Sequence, residues 1–291
     1  SMKIINEFVK ECSNFHKIEN KNNLGMYNNY NKLFKISNSK YFAWLDQDDY
    51  RENFFFEKCY NELEKNNNNV LAFSHIGVKN KQNNELMHII TINSFSNLEP
   101  VDKRYRNLIK NFSDTIVYSL IRSSVLKKTS LWMNIPGSAN KLVFELCLYG
   151  RFAQVEELLS FYYGMGLAYR YNPQEDYLRS TKKNMSLFNW PFMTLFFYQI
   201  KDLFFCSEIN FFLKIKIFIH ILNDLFLINF FKTIYRLCEI FNIEKLDNFI
   251  FKIISFCLKR KTNIIDIVDK DKYPLFYPKH HPFKKVKRIK N

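Results

Sequence analysis

Apolar positions along the first half of the chain switch between two periods. Ile4, Ile5, Phe8 and Val9 stand at helical spacing among Lys and Glu, so residues 2–12 read as an amphipathic helix. A short strand is expected at 15–18, followed by the turn-rich ENKNNLG. Tyr27, Tyr30, Leu33 and Phe34 restore the helical spacing over 26–36, and Ser37 to Ser39 end that helix. Residues 41–45 are all apolar or aromatic and read as a buried strand; 51–64 reads as a helix and the Asn tract at 66–69 as a loop. VLAFSHIGVK at 70–79 and LMHIITI at 86–92 are strand runs joined by a polar turn at 79–85. Residues 113–119 read as a strand, 122–129 as a helix, and 142–149 as a helix stopped by Gly150. This alternation runs to about residue 165 and predicts an α/β layered domain.

The pattern changes beyond Pro173. Residues 187–258 carry Phe, Ile and Leu at helical spacing, punctuated by Lys, and read as several amphipathic helices. Residues 258–291 hold eleven Lys or Arg against three Asp and form a basic tail. The chain therefore divides into 2–170, a helical region at 171–258 and the tail at 259–291. Its longest apolar windows, 187–200 and 217–231, are broken by polar residues and fall short of a membrane span.

Composition narrows this picture little. At 291 residues, 47% of them hydrophobic, the chain has material for one large core and is not of disordered composition. The excess of Phe, Ile, Asn and Lys fits a compositional bias and carries no function. The net charge of +15 points to anionic partners. Lys-rich amphipathic helices suit an anionic membrane surface, whereas no stacking platform or nucleic-acid module appears, so no nucleic-acid partner is expected. The six cysteines lie far apart with no CxxC, which fits reduced thiols in a cytoplasmic protein, peripheral at most to the inner face of the membrane. Residues 1–12 contain no apolar core of a signal peptide.

The chemistry concentrates at YFAWLDQDDY, residues 41–50. Asp46, Asp48 and Asp49 repel one another at the end of an apolar run. Carboxylates at that end of a strand in an open α/β sheet can hold a hard divalent cation, and the cation can hold diphosphate oxygens. The alternative is that Asp48 and Asp49 cap the helix expected near Glu52. His75 faces the same choice between lining a cleft and an ordinary structural role; His280 and His281 fall in the basic tail.

The neighbours of this run bear on that choice. An N-x-G turn at Asn23 to Gly25, N-Y-N-K at Asn29 to Lys32, S-K-Y-F at Ser39 to Phe42 and D-x-D-D at Asp46 to Asp49 follow in that order. The segment resembles the family 2 glycosyltransferases, and the likeness extends over about residues 2–170. It implies a GT-A-like fold: an incomplete doubly wound sheet with helices on both faces, followed by the α-helical C-terminal region. It also implies a nucleotide-diphospho-sugar donor, a glycan acceptor, Mn²⁺ or Mg²⁺, and displacement with inversion. Asp48 matches the metal ligand and Asp46 the carboxylate that reaches the ribose or the metal, with Asp49 supporting them. Asn31 and Lys32 fall in the donor-binding element.

Two departures stand beside the likeness. Residues 3–12 match a helix that in the family follows two strands ending in D-D-G/A-S, so either the chain is a piece of a longer product or other strands, including those of a second copy, fill the gap. In addition, the family's base position reads Ala139 or Asn140 here, which leaves Glu145 as the nearest acid. Three functions follow: a glycosyltransferase, a non-catalytic protein on the same scaffold, or a basic membrane-surface binder.

Overall fold

The computed structural model describes residues 2–47, 49–80, 83–90, 100–110, 114–164, 191–226 and 264–266. Helices α1 (Met2–Glu11) and α2 (Met26–Ile36) come first, then the short strands β1 (Tyr41–Phe42) and β2 (Asp49–Arg51) and helix α3 (Phe55–Glu64). Strands β3 (Asn69–Asn80) and β4 (Leu86–Ile90), helix α4 (Val101–Lys110), a 3₁₀ turn (Asp114–Tyr118) and β5 (Leu120–Arg122) follow. Next are α5 (Ser123–Leu126), α6 (Ser138–Tyr149) and β6 (Arg151–Gly164). Helices α7 (Pro191–Phe205) and α8 (Phe211–His220), a π-helical turn (Ile221–Phe226) and β7 (Ile264–Asp266) complete the described elements.

β3 organises the sheet. One edge pairs in parallel with β6 along its whole length; the other is shared, with Leu71 and Ala72 on β5 and residues 76–79 on β4. β1 extends the sheet beyond β5, β2 beyond β6 and β7 beyond β4, all three antiparallel. Alternation along β3 sends Leu71 and Phe73 to one face and Ala72 to the other. Ala72 joins Phe55, Cys59 and Leu63 of α3, together with Ala153, Val155 and Leu159 of β6. Leu71 and Phe73 join the larger core under α4 and α6, which also takes in Leu203, Cys206, Ile209, Ile217 and Ile221. The described part of the helical region thus shares one core with the α/β layer. Among the described residues, no helix is long and apolar enough to cross a membrane.

Several sequence expectations are corrected. Residues 15–18 form no strand, and Phe15 N donates to Cys12 O in a turn. The run 41–45 is a strand only at Tyr41–Phe42, because Trp44 leaves the sheet for the core and donates from Nε1 to Tyr30 O at 3.1 Å. The helix expected from 51 starts at Phe55, since Asp49–Arg51 pairs with β6 and Glu52 N continues to Leu159 O. Residues 114–118 coil as a 3₁₀ turn, in which the adjacent Ile116 and Val117 are both buried, a pattern a half-buried strand does not make. Within the expected basic tail, Ile264–Asp266 forms strand β7 on β4. The rest of that tail, His280 and His281, and residues 227–258 lie outside the described residues.

Candidate functional site

The acidic run is a turn between β1 and β2, closed by Asp49 N donating to Asp46 O at 3.2 Å. Asp46 is half-buried, and one of its oxygens accepts from the Tyr30 hydroxyl. Tyr118 lies against the same pair. Burial, reinforced by Asp46, holds the Tyr30 phenol well above its ordinary pKa; burial, then Tyr30 and Asp46, does the same to Tyr118. Both rings therefore stay protonated as donors, and they fix the Asp46 carboxylate from the interior side. Asp49 points elsewhere: its carboxylate sits 3.9 Å from the Arg51 guanidinium, which lies over the rings of Phe55 and Tyr162. It caps no helix, because α3 begins six residues on, behind Phe54, with no side-chain cap. Asp48 lies outside the described residues.

An aromatic cluster backs this turn. Trp132 stacks on Tyr27 at 5.7 Å and packs against Tyr30, Trp44 and Tyr118 at 5.0 to 6.3 Å. Asn31 fixes that tryptophan: its amide donates to Trp132 O at 2.7 Å and accepts from Trp132 N at 3.1 Å. Both polar ends of Asn31, expected at the donor, are thus engaged with the main chain. Leu131, next to Trp132, adopts the left-handed φ of 58°, which turns Ser130 and Trp132 toward different neighbours. Lys32 donates to Asn20 Oδ1 at 2.6 Å. Asn20 belongs to an open pocket of about 420 Å³ lined by the 20–26 loop and Asn29. Gly25, at φ 75°, lets that loop turn into α2.

Glu145 is elsewhere, buried inside α6. Its carboxylate accepts from Ser130 N at 3.0 and 3.1 Å and from Ser130 Oγ at 2.9 Å, and pairs with Lys141 Nζ at 2.5 Å. Lys141 also meets Asp202 of α7 at 2.9 Å. That set of bonds is a structural ion network. His75 bonds Glu156 at 3.0 Å on the β3/β6 surface. Sequence reasoning placed Asp46 and the α2 element together but missed Tyr118 and Arg51. Tyr118 falls in the run 113–119, read from the sequence only as a strand.

As a divalent-metal site, the turn offers hard carboxylate oxygen, the correct donor chemistry for Mn²⁺ or Mg²⁺. Among the described residues Asp46 supplies it alone, since Asp49 faces Arg51 and no group of three ligating side chains assembles.

Residues 1–129 match the model of glycosyl transferase family 2. The fold is similar to the crystal structure of S. aureus TarS 1–349, with a TM-score of 0.50 and 11% sequence identity. That similarity covers 77% of this chain and 58% of the other, so the chain spans little more than half the length of that structure. No curated protein matches. The described architecture is accordingly an α/β fold of GT-A type.

Proposed function

We propose, from the match of residues 1–129 to the model of glycosyl transferase family 2, that the protein transfers a sugar from a nucleotide-diphospho-sugar to a glycan or polysaccharide acceptor. The observation that carries this reading is the Asp46 carboxylate, held by Tyr30 at the turn where β1 leaves the sheet. Asp48 and Asp46 would hold the Mn²⁺ or Mg²⁺, with Asp49 as a structural support through Arg51. A bound divalent ion there supplies positive charge to the diphosphate leaving group. Tyr30 engages Asp46 Oδ1, and Tyr118 lies against the same pair. Lys32 and the 20–26 loop provide a polar flank for the donor. Transfer is read as a direct displacement with inversion, and it does not pass through Glu145, whose oxygens are spent on Ser130 and Lys141. The setting is cytoplasmic, in keeping with the buried free thiols of Cys59, Cys147 and Cys206.

A second reading, a non-catalytic protein on the same scaffold, is favoured by one observation: the carboxylate nearest the expected base position is locked in a buried ion pair. Titration calorimetry of UDP- and GDP-sugars with Mn²⁺ separates the two. The first reading expects metal-dependent donor binding that Asp48→Ala and Asp46→Asn both abolish. No binding of either nucleotide in excess metal overturns it and leaves the second.

A further inference from the structure

Helices α7 and α8 form a hairpin whose inner face is spent on the core and whose outer face is not. Leu203, Cys206, Ile209, Ile217 and Ile221 are buried against α4 and α6. The opposite side carries Phe205, Phe211 and Phe212 at the turn, exposed by 81%, 64% and 80%, with Phe197, Phe204, Ile215 and Ile219 along the two helices. Three phenylalanines at one tip are costly to leave in water, and a cluster of that size marks an interaction site. The turn is rigid. Asn210 caps α8 by accepting from Leu213 N at 3.0 Å, Lys214 Nζ donates to Phe204 O at 2.8 Å across the hairpin, and the Phe204 and Phe218 rings meet at 5.9 Å.

The charges beside the tip are basic. Lys201 and Lys216 are exposed and Lys214 sits across the hairpin between the two helices, whereas the nearby acids are already matched, Glu208 by Lys128 and Asp202 by Lys141. We propose that this Phe-tipped, Lys-flanked hairpin docks on an anionic lipid bilayer, with the three phenylalanines entering the headgroup boundary and the lysines meeting lipid phosphates. A second copy of the chain is the poorer partner: a two-fold contact would set this lysine-flanked face against itself in a chain of charge +15. Interfacial binding needs apolar anchors together with basic side chains at their margin, and the hairpin holds both. The contact thus lies on the folded helices of residues 191–220, and it does not rest on the glycosyltransferase reading.

The test is flotation of the full chain with phosphatidylcholine vesicles, with and without phosphatidylglycerol. The expected result is recovery with the anionic vesicles, lowered on the order of tenfold by Phe205→Ser with Phe212→Ser, since both lose buried apolar area. Lys201→Gln with Lys216→Gln is expected to weaken recovery by roughly fivefold per lysine and to flatten its dependence on salt. Because the serine pair alters exposed side chains, its thermal melt should match that of the parent. Phe205→Trp gives an independent reading through a blue shift of the added indole when anionic vesicles are present. Failure of the unaltered chain to float, equal flotation of the serine pair, or no fluorescence shift overturns the proposal. So does a dimer in solution that the serine pair dissolves without any flotation, which would make the hairpin a contact between copies. Donor titration in the same preparations reports separately on the glycosyltransferase reading.

Discussion

Replacing Lys141 by Met tests the buried ion network most directly. Lys141 has no solvent exposure, and its ammonium meets Glu145 at 2.5 Å and Asp202 at 2.9 Å, besides Ser130 Oγ. Met keeps most of the side-chain volume and removes the charge, which leaves two carboxylates facing a protein interior. Losing one partner of a buried pair destabilises by about 3–5 kcal/mol, because the remaining charge is neither hydrated nor matched. The loss must also depend on pH. Without the ammonium, which lowers it, the Asp202 carboxyl, already raised by burial and by the Glu145 charge, rises further, so the penalty is full at high pH and fades as pH falls through that raised value. Urea unfolding of parent and variant at about pH 8 and about pH 5 measures both effects, with the larger loss expected at the higher pH. Replacing all three residues with apolar ones of similar volume should recover most of the stability. A single-site loss below about 1 kcal/mol, or a loss equal at the two pH values, refutes a buried three-charge network.

Two further expectations follow from neighbouring geometry. Burial, and then the Glu145 charge, raise the Asp202 carboxyl from 3.8 to about 6. A raised folded pKa means that its ionised form opposes folding, so this group's own contribution favours folding below the unfolded value and is lost as pH rises through about 6. Asp202→Asn should therefore gain on the parent in urea midpoint above that pH and lose the advantage in acid. Gly150→Ala should cost about 2 kcal/mol by overpacking in the same assay. Its added Cβ would stand 2.4 Å from Asn68 O and 2.3 Å from Val70 Cγ1, where backbone and a packed side chain leave no room; an unchanged midpoint would show that this close approach relaxes freely.

What the chain reveals of its own structure depends on how local each determinant is. α2, β3 and α6 are legible because their apolar spacing is long enough to repeat, and Gly150 marks the end of α6 as its position predicts. β1 is legible as a strand but not in its length, and β2 is not legible, because two or three residues make a strand only through partners near residues 121 and 161. The same holds at the candidate site. The order of four short elements brings Asp46 to attention, yet its actual support comes from Tyr30 and from Tyr118, far away in the chain. Asn31 reads as a ligand contact from its motif, whereas its bonds to the Trp132 main chain could not be read from the sequence. Lys141 gives no sign of burial, since a lysine heading the run LVFELCLY looks like a surface residue until Asp202 packs beside it.

The pairing of β3 also fixes an order of events during synthesis. Its parallel partner β6 lies about 80 residues further along the chain, and such distant pairing is slow to form. Until residue 164 has emerged, part of one edge of the twelve-residue strand β3 has no hydrogen-bonding partner in β6. The hairpin with β4 can close at once, but it protects only the other edge, near residues 76–79. A nascent chain halted between β4 and β6 therefore displays an open, largely apolar strand edge, and that interval is when it is most exposed to pairing with another copy.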